Sequence, residues 1–243
     1  MTGIVIRLTG LATVFTLSLL SLYLLWLNSP VLSNGIEKPN RFPRSIEEVK
    51  GIATVLATFR SENFLYTMTF FSTAYLFKQT FAIPGSFFLN ILAGALFGRV
   101  IGSIIVCTLT ALGASLCYLL SYQIGGSHVE EHFSERIGYL REMVHENDHR
   151  LLYFLLGARL FPFTPQWLLN MLSPFLDIPL STFALSVLIG LAPYNMICVH
   201  AGGTLAQIDK MSDVINTPVL LQLLILAISI GGYAMSQRKV PHD

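Results

Sequence analysis

The amino-acid sequence predicts an all-α polytopic membrane protein with about five spanning helices and two re-entrant loops that enter from opposite faces as an inverted repeat. Three observations carry this. Apolar residues make up 53% of the 243-residue chain and charged residues 12%; the mean hydropathy is +0.63, and the charge is about half that of an average soluble domain. Several apolar stretches approach the roughly 20 residues that a spanning helix needs. Finally, Phe81-Ala-Ile-Pro84-Gly85-Ser-Phe-Phe-Leu89-Asn90-Ile-Leu92 returns, about eighty residues on, as Phe161-Pro-Phe-Thr-Pro165-Gln-Trp-Leu-Leu169-Asn170-Met-Leu172. Both copies place a proline and an asparagine inside an apolar stretch. Backbone groups in hydrocarbon must all find partners, so a helix breaker at that depth persists only against protein or a water-filled cavity.

Residues 1–63 read as an N-terminal membrane helix followed by an amphipathic linker. Residues 8–27 are apolar apart from a few Ser and Thr, and are too long for a signal-peptide core of about 7 to 15 residues. The linker carries Pro30, Pro39 and Pro43, then Ser45-Ile-Glu-Glu48, a capping-box pattern that opens a surface helix toward Arg60. Its apolar stripe is Ile46, Val49, Ile52, Val55 and Leu56.

Residues 64–236 read as the main membrane domain, and 237–243 as a polar tail. A helix over 64–78 leads into the first broken segment, about 80–98, where Pro84-Gly85 at the start and Gly94 and Gly98 near the end let the chain dip and turn back. Residues 100–124 form a long helix whose Gly102, Gly113, Ala114 and Ser115 admit a close neighbour, and Gly125-Gly126 is expected to end it. Residues 127–150 are polar and stay outside the hydrocarbon. The second broken segment covers about 151–179 and holds Pro162, Pro165, Pro174 and Pro179. A helix over 181–200 with Pro193 as a kink and a final span over 216–235 complete the chain. Each repeat unit is a loop that does not cross plus a helix that does, so the second unit must begin inverted. With five crossings, Lys38, Arg41, Arg44, Lys50, Arg60, Arg136, Arg141, Arg150, Arg238 and Lys239 gather on one side, which places the C-terminus in the cytosol.

Composition also excludes functions. A net charge of +1 leaves no basic footprint for nucleic acid. Cys107, Cys117 and Cys198 lie in apolar segments, where cysteine acts as a small hydrophobe, so no disulfide is expected. No G-x-x-x-x-G-K-[ST] phosphate loop is present, and no cofactor is implied. His128-Val-Glu-Glu131-His132 and His145-Glu146-Asn-Asp-His149 match zinc-protease spacings. Asn147 and Asp148 are polar where a buried catalytic helix is apolar, and no third ligand is indicated. The chain therefore reads as neither a metalloprotease nor any other enzyme, with no catalytic residue and no metal site.

Among residues able to carry chemistry, Arg159 stands out because an unpaired cation among apolar residues costs several kcal/mol and faces a cavity or a partner. Its donor fork suits a pair of phosphate oxygens. The alternative is a structural pairing with loop carbonyls or with Asp177. Asn90 and Asn170 occupy equivalent repeat positions and are expected to bond freed backbone of the opposing loop. Pro84, Gly85, Gly94, Pro162 and Pro165 shape the loops, Gly113 serves helix packing, Asp177 caps the second loop, and His200 is interfacial.

Gln79-Thr-Phe-Ala-Ile-Pro84-Gly85-Ser86, Leu112-Gly-Ala-Ser-Leu-Cys117-Tyr118-Leu-Leu-Ser-Tyr122 and Arg159-Leu-Phe-Pro162-Phe-Thr-Pro165-Gln-Trp167-Leu-Leu-Asn170, together with Phe42-Pro-Arg-Ser45 and Ala201-Gly202-Gly203-Thr-Leu205, resemble the transmembrane protein 41 group of the VTT-domain (DedA-like, SNARE-associated) membrane proteins. The similarity runs from about residue 42 to 236. It implies a multi-pass protein of the endoplasmic reticulum membrane that scrambles phospholipids without an energy source. The resemblance also implies a hydrated groove between two re-entrant loops, a role in autophagosome formation and lipid distribution, and phospholipids and autophagy-related or lipid-transfer membrane proteins as partners. Two departures qualify it. Bacterial relatives often carry acidic residues near the first loop, whereas no Asp or Glu lies between Glu62 and Glu130 here, which removes the usual carrier for proton coupling. Lys78 stands where the group more often has an apolar residue, and no role is assigned to it. Two other readings fit the same sequence: a secondary transporter for a small anion or lipid-linked phosphate, and a non-transporting membrane adaptor.

Overall fold

The computed structural model describes residues 2–30, 60–161 and 164–204. The expected surface helix after Ser45, Pro162 and the expected final span over 216–235 lie outside those residues. Among the described residues the regular structure is helical, without a strand: α1 (Thr2–Leu27), α2 (Phe64–Thr80), α3 (Ser86–Phe97), α4 (Arg99–Glu146), α5 (Leu151–Leu160), α6 (Gln166–Leu172), α7 (Leu180–Gly190) and α8 (Ala192–Gly203), with single 3₁₀ turns at Asp148–Arg150 and Ser173–Leu176.

Val5–Leu27 and Arg99–Gly125 are each long and apolar enough to cross a bilayer, and α7 with α8 qualifies as one broken span. These helices leave large apolar side chains uncovered: Ile6, Leu17 and Tyr23 on α1, and Val100, Ile104 and Leu112 on α4. A water-soluble monomer does not tolerate apolar surface on this scale, whereas lipid accepts it. The chain is a membrane protein.

The described residues form two compact units, 2–113 with 194–204, and Ala114–Pro193. In the first unit, Phe71 and Tyr75 of α2, Ala93, Leu96 and Phe97 of α3, Val106 and Leu109 of α4 and Val199 of α8 form a buried cluster. α1 docks on α2 through Phe15, whose ring lies 5.3 Å from Phe77 and 4.9 Å from Phe81. Glycine makes the α3–α8 contact possible. A Cβ on Gly94 would overlap the Val199 carbonyl, and one on Gly202 would overlap the Ile91 carbonyl, so the two backbones touch where small residues permit it.

In the second unit, α5 packs along α7, burying Leu155, Leu156 and Leu160 together with Phe183 and Val187. The turn after α6 buries Phe175, Leu176 and Ile178 and ends at Asp177 in the left-handed region, φ 55°. Arg141 of α4 secures this turn: Nη2 donates to the Phe175 carbonyl at 2.9 Å, and Nε lies 2.9 Å from Asp177 Oδ2.

The structure departs from the sequence reading at three places. The expected helix end at Gly125-Gly126 is absent, because α4 runs unbroken through both glycines to Glu146. A mid-helix glycine costs only about 1 kcal/mol, and beyond it Ile137, Leu140, Arg141 and Val144 recur at helical spacing on the covered side. The helical pattern outweighs the glycine pair. Of the two glycines expected at the turn, Gly94 sits inside α3, and the chain turns at Gly98 alone, with φ 78°. The second broken segment is two helices, α5 and α6, interrupted at 161–165 and followed by a 3₁₀ turn.

Candidate functional site

Each unit contains one buried polar centre built on the same local plan: a helix, a proline-containing break, a short helix and a longer one. In the first unit the plan is α2, residues 81–85, α3 and α4. The break starts tightly, with Ile83 N–H donating to Lys78 O at 2.9 Å. It passes through Ala82 at φ 52° and Gly85 at φ 119°, and Pro84 immediately precedes that glycine.

Behind this break, Tyr75 of α2, Asn90 of α3, Thr110 of α4 and Asn195 of α8 close a ring. Tyr75 Oη donates to Asn90 Oδ1 at 2.9 Å, and Asn90 Nδ2 donates to Asn195 Oδ1 at 2.9 Å. Asn195 Nδ2 donates to Thr110 Oγ1 at 3.2 Å, and Thr110 Oγ1 lies 2.8 Å from Tyr75 Oη, where Thr110 is the donor because the one phenol proton goes to Asn90. All four are buried. Asn90 therefore bonds side chains here, where the sequence reading expected freed backbone. The ring is neutral, and each side chain in it has a partner, as polar groups at membrane depth require. Gly113 lies nearby on α4: a Cβ there would sit 2.5 Å from Gln79 Cβ, so α2 and α4 are in close contact.

In the second unit the plan is α5, residues 161–165, α6 and α7. Phe161 is extended, and Pro165 caps α6, its carbonyl accepting from Leu168 N–H at 2.9 Å. Arg159, in the last turn of α5, is 3% exposed. Its Nε donates to Ser186 Oγ of α7 at 2.9 Å, and its Nη1 donates to Gln166 Oε1 and to Asn170 Oδ1 of α6, both at 3.2 Å. Gln166 Nε2 returns a bond to the Arg159 carbonyl at 3.0 Å, and the guanidinium carbon sits 4.8 Å from the centre of the Phe183 ring. Nη2 is buried and has no hydrogen-bond partner among the described residues.

Every partner of Arg159 is neutral. Asp177, one alternative considered from sequence, is paired with Arg141, and among the described residues no carboxylate lies within ion-pair distance of Arg159. A cation held by dipoles alone has no counter-charge and leaves one edge open, and an oxyanion complements both.

The histidine motifs assemble nothing comparable. His145 is in the last turn of α4 and His149 in the following 3₁₀ turn, with Asn147 between them, so the helical register that sets two imidazoles one turn apart is lost. His145 Nε2 instead lies 3.6 Å from Asp177. The side chains of His128, Glu131 and His132 lie outside the described part. Among the described residues no three His, Cys, Asp or Glu side chains are grouped for a metal.

Sequence reasoning did not single out Tyr75, Thr110, Asn195, Gln166 or Ser186. Their one visible mark is polarity inside apolar helices, which many packed residues share. Lys78, to which the sequence assigns no role, donates from Nζ to Gln79 Oε1 at 2.9 Å and to Ser86 Oγ.

The VTT-domain profile matches residues 83–204, which include both polar centres except Tyr75. The chain is 33% identical over 230 residues to transmembrane protein 41B of Gallus gallus, covering 95% of this chain and 86% of that protein. It is 33% identical to transmembrane protein 41B of Danio rerio, covering 90% and 77%, and 35% identical to the transmembrane protein 41 homolog of Dictyostelium discoideum, covering 83% and 60%. No solved structure matches the chain at a significant level.

Proposed function

Since the chain belongs to the VTT-domain family of membrane proteins, in its transmembrane protein 41 group, we propose that it is an energy-independent phospholipid scramblase of the endoplasmic reticulum membrane. In this reading the two broken segments are re-entrant in a five-span protein, and headgroups pass along a hydrated groove that these segments line while acyl tails stay in lipid. The activity would serve autophagosome formation and lipid distribution, with autophagy-related or lipid-transfer membrane proteins as partners.

The observation that carries this reading is Arg159: a buried guanidinium with neutral partners, one unpartnered edge and no carboxylate beside it. A phosphate headgroup crossing bilayer hydrocarbon alone faces a large desolvation cost. Donors already fixed in place lower that cost without any change in the direction of transport, so the movement is passive. Because Arg159 is 3% exposed, contact requires displacement of α6, the seven-residue helix whose Gln166 and Asn170 bond it. A short helix between a proline break and a 3₁₀ turn is suited to such movement, having little length over which to pack. The absence of Asp and Glu from residues 63–129 also favours passive movement over proton coupling.

The test is loss of inner-leaflet phospholipid fluorescence to an impermeant quencher, in sealed vesicles containing the purified chain without nucleotide or ion gradient. The wild type should expose the inner leaflet rapidly. Arg159→Leu, correctly folded by size-exclusion elution, should slow the process by about tenfold or more, the loss of a charge-assisted hydrogen bond. A protected inner leaflet in wild-type vesicles would overturn the scramblase reading, and full activity of folded Arg159→Leu would remove Arg159 from the path.

A further inference from the structure

We propose that Lys78 and Ser86 form a second phosphate-oxyanion site, at the first break, equivalent to Arg159 with Gln166 at the second. The inference rests on the scramblase reading for its lipid ligand, but its geometry is separate. Both cations occupy the last turn of the helix before a break. Both donate to the side chain of the first residue of the short helix after it, eight residues on for Lys78 and seven for Arg159. The repeat has thus placed a cation and a polar clasp at each break, although one cation is an ammonium and the other a guanidinium.

Three features make the first clasp a binding site rather than a satisfied lysine. Lys78 takes part in no ion pair among the described residues, and the sequence holds no acid between Glu62 and Glu130, so no carboxylate neighbours it along the chain. An ammonium has three donors; two go to Gln79 and Ser86, and Nζ also lies over the Tyr75 ring, 6.0 Å from its centre. Ser86, which accepts from Lys78, retains its own hydroxyl proton. The Lys78 ammonium and the Ser86 hydroxyl therefore lie side by side, able to face a phosphate oxygen pair.

The clasp is held from both directions. Gln79, which accepts from Lys78, is buried against Gly113, and the neutral ring at Tyr75 and Asn90 ties α2 to α3. The ordinary behaviour of a lysine near a membrane-helix end is to extend its stem toward the interface; this one is turned onto its own break. Lys78 is half-buried while Arg159 is fully buried, so the first site is the more open of the two.

The experiment measures phosphatidylcholine binding to the purified full chain in detergent by native mass spectrometry, with diacylglycerol as the phosphate-free control. Lys78→Met should weaken phosphatidylcholine binding about tenfold and Lys78→Arg should restore it, since a charged donor is removed and then replaced. Ser86→Ala, a milder change, should weaken binding about threefold, as expected for one neutral hydrogen bond. Diacylglycerol binding should not change in any of them. Inorganic phosphate should fail to compete; competition would overturn the lipid assignment and make free phosphate the ligand. Phosphatidylcholine binding by folded Lys78→Met or Ser86→Ala equal to that of the wild type would overturn the site itself. Vesicles that fail to scramble while Lys78-dependent binding persists would refute the scramblase reading and leave the site standing.

Discussion

The first unit closes its buried polar groups into a neutral ring in which Tyr75, Asn90, Thr110 and Asn195 satisfy one another, whereas the second surrounds a guanidinium with neutral side chains and leaves Nη2 without a partner. The two start from the same repeat and share an asparagine at the fifth position of a short helix. They differ in what that asparagine meets: a phenol and a carboxamide in one case, a cation in the other. A satisfied neutral ring rigidifies the contact it spans and binds nothing further. An under-satisfied cation is costly to the fold and is useful only to something that brings the missing acceptor. The repeat thus supplies one scaffold for two different polar centres, and in the first unit the cation nearest the break is Lys78.

This contrast is open to direct challenge. The largest effect should come from Gly202→Leu, because a side chain there overlaps the Ile91 carbonyl and pushes α8, with Asn195, away from α3. The ring would open and the chain should lose about 3 kcal/mol or more of stability, read as aggregation or a collapsed melting temperature in detergent. A well-folded Gly202→Leu protein would mean that the α3–α8 approach does not hold the ring together.

A smaller effect separates structure from transport. Tyr75→Phe removes only the phenol oxygen and should cost about 1–2 kcal/mol through the acceptors and donors it leaves unpaired. The folded fraction should scramble at the wild-type rate. Impaired transport in that folded fraction would show that the neutral ring belongs to the path, and the distinction between the two centres would fail. The smallest change should be Ala82→Gly, at φ 52°, which relieves a left-handed alanine and should stabilise the first break by up to about 1 kcal/mol. The gain would appear as a slightly raised melting temperature without altered transport.

Much of the architecture is legible from local chemistry. The spans at α1 and α4 follow from apolar length, and the breaks at 81–85 and 161–165 stand where Pro84-Gly85 and Pro165 deny the backbone its helical bonds. The burial of Arg159 follows from its apolar neighbours in sequence. Partner identity does not follow in this way. Asn90 meets Asn195 across 105 residues, and Arg159 meets Ser186 across 27. Neither pairing leaves a mark in the intervening sequence. Asp177, one alternative partner for Arg159 in the sequence, pairs with Arg141 instead, because the path of Arg141 depends on α4 continuing past Gly125-Gly126.

What the sequence determined by itself is the solvent and the backbone: an apolar chain that must live in lipid, with helices wherever bonds can be kept internal and breaks wherever proline forbids them. These are properties of a few adjacent residues and need no knowledge of the rest of the chain. Which buried polar groups are satisfied and which are left open depends on how distant helices come together. Helices meet where Gly94 and Gly202 allow their backbones to touch, and that approach selects, from several equally polar side chains, those that lie within hydrogen-bond distance.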